Sequence, residues 1–280
     1  MLWHWERGES IALNETEAYL NSIKNLIATQ VKKKHTWPLP PIKMTNSFQV
    51  EDKIFQVLPN LKVLVAIIPG IKSQNVQAAK CSELLDEAWR RVPLETSPFP
   101  NVQSHPRIAL WRQAYLNLKI SVKKFTSSIE NLAKRAAKPD SKPLHINPLV
   151  DFYNALSLKF MVPFGGFDMD TTQVCKNLQL RFTKGGDKFT ALDSEEAIEL
   201  QEGEAVYAYE NIVVTRHINW KQSKEGLIEA NSSNIILMAE LLDSSFIEEM
   251  IADLTKSSIE FLGANPEFFI VSKENSSIVF

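Results

Sequence analysis

The sequence predicts an α+β protein, a mixed sheet packed with helices and preceded by an N-terminal helical extension. Three observations lead there. The apolar run "LKVLVAIIPG" reads as a buried strand and is followed by the helical pattern "SQNVQAAKCSELLDEAWRRV". Residues 107–160 then carry further helical stretches. Beyond Gly166 the texture changes to short alternating runs, "LQLRFT", "KFTAL", "AVYAY" and "IVVTRHINW", separated by Gly185-Gly186, "LDSEEAIELQEGE" and Glu210-Asn211, which are expected as turns.

From the N-terminus onward, residues 14–34 place Asn14 and Glu17 at capping-box spacing and Leu20, Ile23 and Ile27 on one stripe, predicting an amphipathic helix. Next, "HTWPLPPIKM" holds Pro38, Pro40 and Pro41, which forbids a helix and predicts an extended connector. Residues 1–45 are thus expected as an extension and 46–280 as the main domain. The helix after the first strand is expected to end at Pro93, and a proline-rich loop to Pro106 leads into "RIALWRQAYLNLKI". "TSSIENLAKRAAK" predicts a helix capped by Ser127 or Ser128. Asn147-Pro148 favours a turn, followed by a helix in "LVDFYNALSLKF" that stops before Pro163, and Pro163 to Gly166 is expected as a turn. "NSSNIILMAELL" reads as a buried strand or the start of a helix. "SSFIEEMIADLTKSSIEFL" is an amphipathic helix stopped at Gly263, and "PEFFIVS" with "SSIVF" is a candidate terminal hairpin.

With 280 residues, 44% hydrophobic and 23% charged, the composition is that of a globular chain. The longest apolar run, interrupted by Lys62, falls far short of the roughly 20 residues needed to cross a bilayer. The N-terminus lacks the pattern of a secretory signal, and two cysteines are too few for a disulfide framework, so a cytoplasmic address is expected. A net charge of −2 argues against nucleic-acid binding through bulk electrostatics, and no DNA partner is expected. Any RNA contact must be local. The candidate patches are Lys119, Lys123, Lys124, Lys134, Arg135, Lys138 and Lys142, and a smaller one at Lys32, Lys33, Lys34 and His35; solvated helix faces would look the same.

The five histidines show no paired metal-ligand spacing, and Cys81 and Cys175 are isolated, so neither a metal nor another cofactor is expected. Neither "VPFGGFD" nor "KGGDKF" matches a phosphate-binding glycine motif, and no nucleophile elbow is present. Two clusters of polar residues remain. One gathers Asn147, Asn154, Ser157, Gly165, Gly166 and Asp168; the other gathers Arg216, His217, Asn219, Trp220, Gln222 and Ser223. Polar groups among apolar neighbours must be hydrogen-bonded or line a pocket. Structural roles are equally concrete: Asn147 could set a turn, the glycines could supply positive φ, Asp168 could cap the next element, and His217 and Trp220 could simply pack.

The segments "INPLVDFYNALSLKFMVPFGGFDMD", "LQLRFTKGGDKFTALDSEE" and "EAVYAYENIVVTRHINWKQS" resemble the B3/4 domain, the editing module of the phenylalanyl-tRNA synthetase β subunit, which also occurs as freestanding proteins. The resemblance is firm from about Arg107 to Glu240 and looser from about Phe48 to Pro106. At this length there is no room for the synthetase's catalytic module, so an editing domain alone is expected. The synthetase pattern I-V-D-V-T-N-Y-V corresponds to the segment around Val150 to Asn154, with Tyr153 at the threonine position and Asn154 retained. The P-L-H-A-F-D pattern corresponds to Pro163 to Asp168, with Gly165 in place of the editing histidine. The glycine-rich A-G-V-M-G-G segment is replaced by Arg216 to Lys221, which resembles the R-x-x-N-W pattern of the freestanding group.

The resemblance implies deacylation of mischarged aminoacyl-tRNA in trans. Asn154 and Asn219 would position the ester or its water, with His217 assisting proton transfer. Asn147, Tyr153, Ser157, Gly165, Gly166, Asp168, Arg216 and Trp220 would form the substrate pocket, and Lys119, Lys123, Lys124, Lys134 and Arg135 would meet RNA. Asp168 would hold the substrate's ammonium. The activated ester needs a placed water and preorganised donors more than a strong base. Loss of the histidine also suits a module that binds an amino acid or a tRNA end without turnover, and a third reading is a hydrolase of small amino-acid esters or amides.

Overall fold

The computed structural model describes residues 46–170 and 173–280, which belong to one unit, Met44–Phe280. The helix expected over residues 14–34, the proline connector and the basic patch at Lys32 to His35 lie outside the described residues. Along the chain the strands are β1 (Ser47–Val50), β2 (Lys62–Ile68), β3 (Phe164–Asp168), β4 (Leu178–Phe182), β5 (Lys188–Thr190), β6 (Ala197–Glu199), β7 (Ala205–Tyr209), β8 (Ile212–Arg216), β9 (Lys221–Gln222), β10 (Ile235–Leu241), β11 (Glu267–Val271) and β12 (Ser277–Val279). The α-helices are α1 (Asp52–Val57), α2 (Ala78–Thr96), α3 (Pro106–Asn117), α4 (Ser128–Ala136), α5 (Pro148–Phe160) and α6 (Ile247–Ser257).

The strands form two sheets, and the division explains the apolar runs. The smaller sheet has the order β11-β2-β10-β3 with every pair antiparallel. The larger is mixed: it runs β12-β1-β4-β7-β8-β5-β6, with β9 beside β8 and with β1-β4 and β5-β8 parallel. Because side chains alternate along a strand, β2 sends Val63, Val65 and Ile67 into one core and Leu64, Ala66 and Ile68 into another. The first core lies against the inner face of the larger sheet, with Leu178, Leu180 and Tyr207, and includes Trp111 and Tyr115 of α3 and Ile129 and Ala133 of α4. The second packs beneath α5 and α6 through Phe152, Leu156, Met250 and Leu254. An antiparallel strand covered on both faces loses the usual polar alternation, so β2 and β10 read as continuous apolar stretches.

Helix α5 is fixed at both ends by its own sequence. Asn147 is the N-cap, its side-chain oxygen accepting from the Leu149 and Val150 amides at 3.0 Å each, and Pro148 fills the first turn. At the other end Met161 adopts a left-handed conformation, and the Ser157 hydroxyl donates to the Val162 carbonyl at 2.6 Å. Ser127 caps α4, its hydroxyl accepting from the Glu130 amide.

Four expectations are corrected. The helix α2 runs through Pro93 to Thr96. A proline costs a helix one backbone donor, but here only the last turn is affected, and the Thr96 hydroxyl adds a bond to the Val92 carbonyl at 2.8 Å. Pro163 to Gly166 is not a turn: Phe164–Asp168 is a strand paired with β10, and neither Gly165 nor Gly166 has positive φ. The segment "LDSEEAIELQEGE" contains a short strand, β6, paired with β5. Finally, β11 and β12 do not form a hairpin, because β11 joins β2 in the smaller sheet while β12 joins β1 in the larger.

The two glycines of β3 do different work. A Cβ on Gly166 would stand 2.7 Å from the Ile236 carbonyl oxygen and 2.6 Å from Leu237 Cδ2, whereas one on Gly165 would meet nothing within 4 Å. We therefore expect Gly166→Ala to lower stability by about 1–3 kcal/mol. Gly165→Ala should melt like the wild type while placing a methyl group in the open space beside β3. Thermal and urea denaturation of the two variants check this.

Candidate functional site

Between the facing surfaces of the two sheets lies a cavity of about 190 Å³. Register places its walls. On β10, Ile236, Met238 and Glu240 point toward the larger sheet, opposite to Leu237, Ala239 and Leu241. The pairing of Gly165 with Met238 brings Gly165 and Phe167 of β3 to the same face, and α5 adds Tyr153 and Asn154. Tyr207 and Thr215 enter from the larger sheet, Ile218, Asn219 and Trp220 from the turn after β8, and Ser128 from the start of α4.

The turn is conformationally unusual. His217 and Ile218 both have positive φ, +46° and +60°, which is costly for a β-branched residue. Such a conformation persists only where the surroundings impose it, and it is commonest at functional sites. Here it is held by bonds from the Ile218 amide to the Ala205 carbonyl at 2.7 Å and from the Ser128 amide to the Asn219 carbonyl at 2.8 Å. The result turns the Asn219 side chain inward.

At the cavity floor, two buried hydrogen bonds meet. The Tyr115 hydroxyl donates to Asn219 Oδ1 at 2.8 Å, and the Tyr207 hydroxyl donates to Glu240 Oε1 at 2.7 Å. The second bond links the two sheets. Asn219 Nδ2 and Glu240 Oε2 are buried and have no hydrogen-bond partner. The Asn219 amide is near enough to favour the Glu240 anion without reaching hydrogen-bond geometry, so both atoms remain unpaired.

Burial dominates the electrostatics here. It pushes the Glu240 carboxyl up to about 8, against the opposing influence of Tyr207 and Asn219, so that Glu240 is largely neutral at pH 7. Tyr207 and Tyr115 are raised well above the usual phenol value, first by burial and then by Glu240. Burial and then Asp151 push the Tyr153 hydroxyl up to about 12. Because the folded protein holds the Glu240 proton more tightly than an ordinary carboxyl of 4.5, that contribution to stability is complete below about 4.5 and is lost as pH rises through about 8. Glu240→Gln should flatten this fall, and urea denaturation at pH 5 and pH 9 measures it.

The cavity thus unites Asn154, Asn219, Tyr153, Gly165, Gly166, Trp220 and Gln222 from the expected clusters, the last donating to the Gly166 carbonyl at 3.2 Å. It does not include the others. Asn147 is engaged as the cap of α5 and also donates to the Ile228 carbonyl, and Ser157 closes the end of that helix. Asp168 lies on the opposite face of β3, where it accepts from the Ser232 hydroxyl and the Asp170 amide. Arg216 is paired with Glu204 through Nε at 2.9 Å and Nη2 at 2.7 Å. His217 is buried between Phe125 and Trp220, ring centroids 4.0 and 5.3 Å away, and burial lowers its pKa. Its Nδ1 stands 3.5 Å from Glu204 Oε1, outside hydrogen-bond geometry. It is a neutral packing histidine rather than a lining group.

Of the basic residues, Lys119, Lys123, Lys124 and Arg135 are exposed. Lys134 shares the buried Glu130 with Arg112, at 2.6 and 2.8 Å, and is partly neutralised. Phe125, next to Lys124, stacks edge-on to Trp220 at 4.6 Å, which ties this segment to the cavity wall. Both cysteines are buried with thiols pushed up to about 12, chiefly by burial, which makes them inert as nucleophiles at neutral pH. No group of three metal-ligating side chains comes together among the described residues, and no helix among them is long and apolar enough to cross a membrane.

Sequence reasoning missed Glu240, Tyr207 and Tyr115. Glu240 had a visible signal: it is the only charge in the apolar run "IILMAELL", and a lone carboxylate there is either a sheet edge or a buried functional group.

This arrangement, a cavity between a four-stranded sheet and a larger mixed one with helices alongside, defines the class of protein. A model of the B3/4 domain matches residues 110–259, more than half of the chain, and the protein belongs to that family. Among solved structures, an N-terminal fragment of the phenylalanyl-tRNA synthetase β-subunit from Pyrococcus horikoshii is similar at 11% identity and a TM-score of 0.39, over 78% of this chain. The chain covers 49% of that fragment. No curated protein matches.

Proposed function

We propose that the protein hydrolyses the ester of mischarged aminoacyl-tRNA in trans, with the aminoacyl group seated in the cavity between the sheets. The observation that carries this reading is the unpaired Asn219 Nδ2, a buried donor on a residue that lines the cavity and is fixed by Tyr115. A preorganised donor in a site of low polarity stabilises the oxyanion that develops on the ester carbonyl without having to reorganise. Asn154, on the opposite wall, orients the attacking water. Gly165 leaves room for the carbonyl to approach β3. The cavity is smaller than typical drug-sized pockets, which suits an aminoacyl group with the nucleotide outside. The exposed Lys119, Lys123 and Lys124 meet the RNA backbone beside Trp220, and their modest number keeps the affinity low and salt-sensitive.

Purified protein should be incubated with a panel of tRNAs bearing correct and incorrect amino acids, and loss of the ester followed over time. The expected result is accelerated loss from one or two mischarged species, slowed by added salt. Saturable binding without ester loss across the panel would replace this reading with a non-catalytic binding module, the alternative that Gly165 at the editing-histidine position favours. Hydrolysis of amino-acid esters that ignores RNA and salt would instead indicate a small-ester hydrolase.

A further inference from the structure

We propose that Glu240 is the residue that recognises the substrate's free amino group, accepting its N–H on Oε2 while Asn219 Nδ2 donates to the neighbouring carbonyl oxygen. This inference rests on the reading that the cavity holds an aminoacyl group, and it adds which chemistry the cavity selects. Two buried atoms at the cavity floor have no partner, the Asn219 amide donor and a Glu240 oxygen that becomes an acceptor once the carboxyl is ionised, and they lie side by side. A buried polar atom left unpaired costs free energy, so the pair is complementary to a ligand that brings a donor and an acceptor at short separation. An α-aminoacyl group does so. The Asp168 carboxylate, the other candidate for this role, faces away from the cavity and is occupied by Ser232.

The pair also implies a selection rule. Acylation of the amino group removes the charge and adds bulk against Met238 and Tyr207, so an N-acylated aminoacyl group, such as the end of a peptidyl-tRNA, is excluded. When an ammonium enters, the neutral Glu240 releases its proton to solvent and forms an ion pair. The titratable groups facing it are Tyr207 and Tyr115, both held protonated by burial, so the released proton is that of Glu240.

The test uses full-length protein and a series of amino-acid amides from glycinamide to phenylalaninamide, each beside its N-acetyl and des-amino counterpart, in nuclear magnetic resonance and calorimetric titrations. The best amide should bind roughly 10- to 100-fold more tightly than its N-acetyl or des-amino form. Glu240→Gln should abolish most of that preference, while Tyr207→Phe, which keeps the carboxylate, should retain it. Wild-type binding of the amide at pH 7 in two buffers of different ionisation enthalpy should show close to one proton released, a readout that needs no variant. Equal binding of amide and N-acetyl amide, or an unchanged preference in Glu240→Gln, would each overturn the inference while leaving ester hydrolysis untouched. Amine-selective, Glu240-dependent binding in a protein that deacylates no tRNA would support it and remove the deacylase reading.

Discussion

Replacing Asn219 with alanine should slow deacylation of the preferred mischarged tRNA by about 100- to 1000-fold, the usual consequence of removing one oxyanion donor. The effect should fall on the single-turnover rate more than on tRNA affinity, because the lost bond is strongest in the transition state. Asn219→Ala also strands the buried Tyr115 hydroxyl, whose acceptor is Asn219 Oδ1. The double variant Tyr115→Phe with Asn219→Ala removes that side effect and should recover stability without recovering activity. Tyr115→Phe alone leaves the amide in place but unanchored, and its rate should lie between wild type and Asn219→Ala. Single-turnover kinetics and thermal melts on these proteins separate the role of the donor from the role of its support.

Asp187→Asn should lower stability by about 3–5 kcal/mol, the largest stability effect expected from a single polar substitution in this fold. Arg181 and Asp187 form a bidentate pair at 2.6 and 2.9 Å with both side chains only 3% exposed, and Arg181 further donates to the Glu210 and Phe182 carbonyls. Neutralising the acid leaves a guanidinium buried beneath β4 with no counter-ion. Burial alone would raise the Asp187 carboxyl, but the Arg181 guanidinium and the Lys184 amide together hold it below its ordinary value. The stability from this pair is therefore present above pH 3.8 and is lost as pH falls through the lowered folded value. Urea denaturation of Asp187→Asn against wild type at pH 7, then across acid pH, measures both effects.

Much of the fold was legible because local chemistry and tertiary packing agree. The run "LKVLVAIIPG" is apolar at every position from Val63 to Ile68 since both faces of the strand are covered there, and Gly263, at φ +65°, ends the last helical stretch as its position suggested. The failures share a physical origin. Pro163 to Gly166 contains strong turn formers, yet the chain is extended there because β10 supplies a pairing partner and leaves no room for a Cβ at Gly166. The terminal hairpin looked local, but its two strands are more valuable as edges of separate sheets, a choice that depends on β1 and β2 far away in sequence.

The site was half legible for a related reason. Asn154, Asn219, Gly165 and Trp220 stood out because each is polar, small or bulky where an apolar residue would be routine. Asn147, Ser157 and Asp168 gave the same signal for a different cause, since capping a helix or closing a turn also requires polar side chains among apolar ones. Sequence cannot separate these uses, because the difference is the side of the strand or the end of the helix on which the group falls. Tyr207 and Tyr115 were silent, as a tyrosine in a strand or a helix is ordinary until its hydroxyl is seen to hold a cavity-lining side chain.

The decisive measurement is a crystal structure of the protein with a non-hydrolysable 3′-aminoacylamino-3′-deoxyadenosine carrying the amino acid that the deacylation panel selects. The aminoacyl group should lie between the two sheets, its carbonyl oxygen within hydrogen-bond distance of Asn219 Nδ2 and the adenosine outside, toward Trp220. An analogue bound elsewhere on the protein, with the cavity between β3, β10 and β7 left unfilled, would contradict a deacylase built on this cavity.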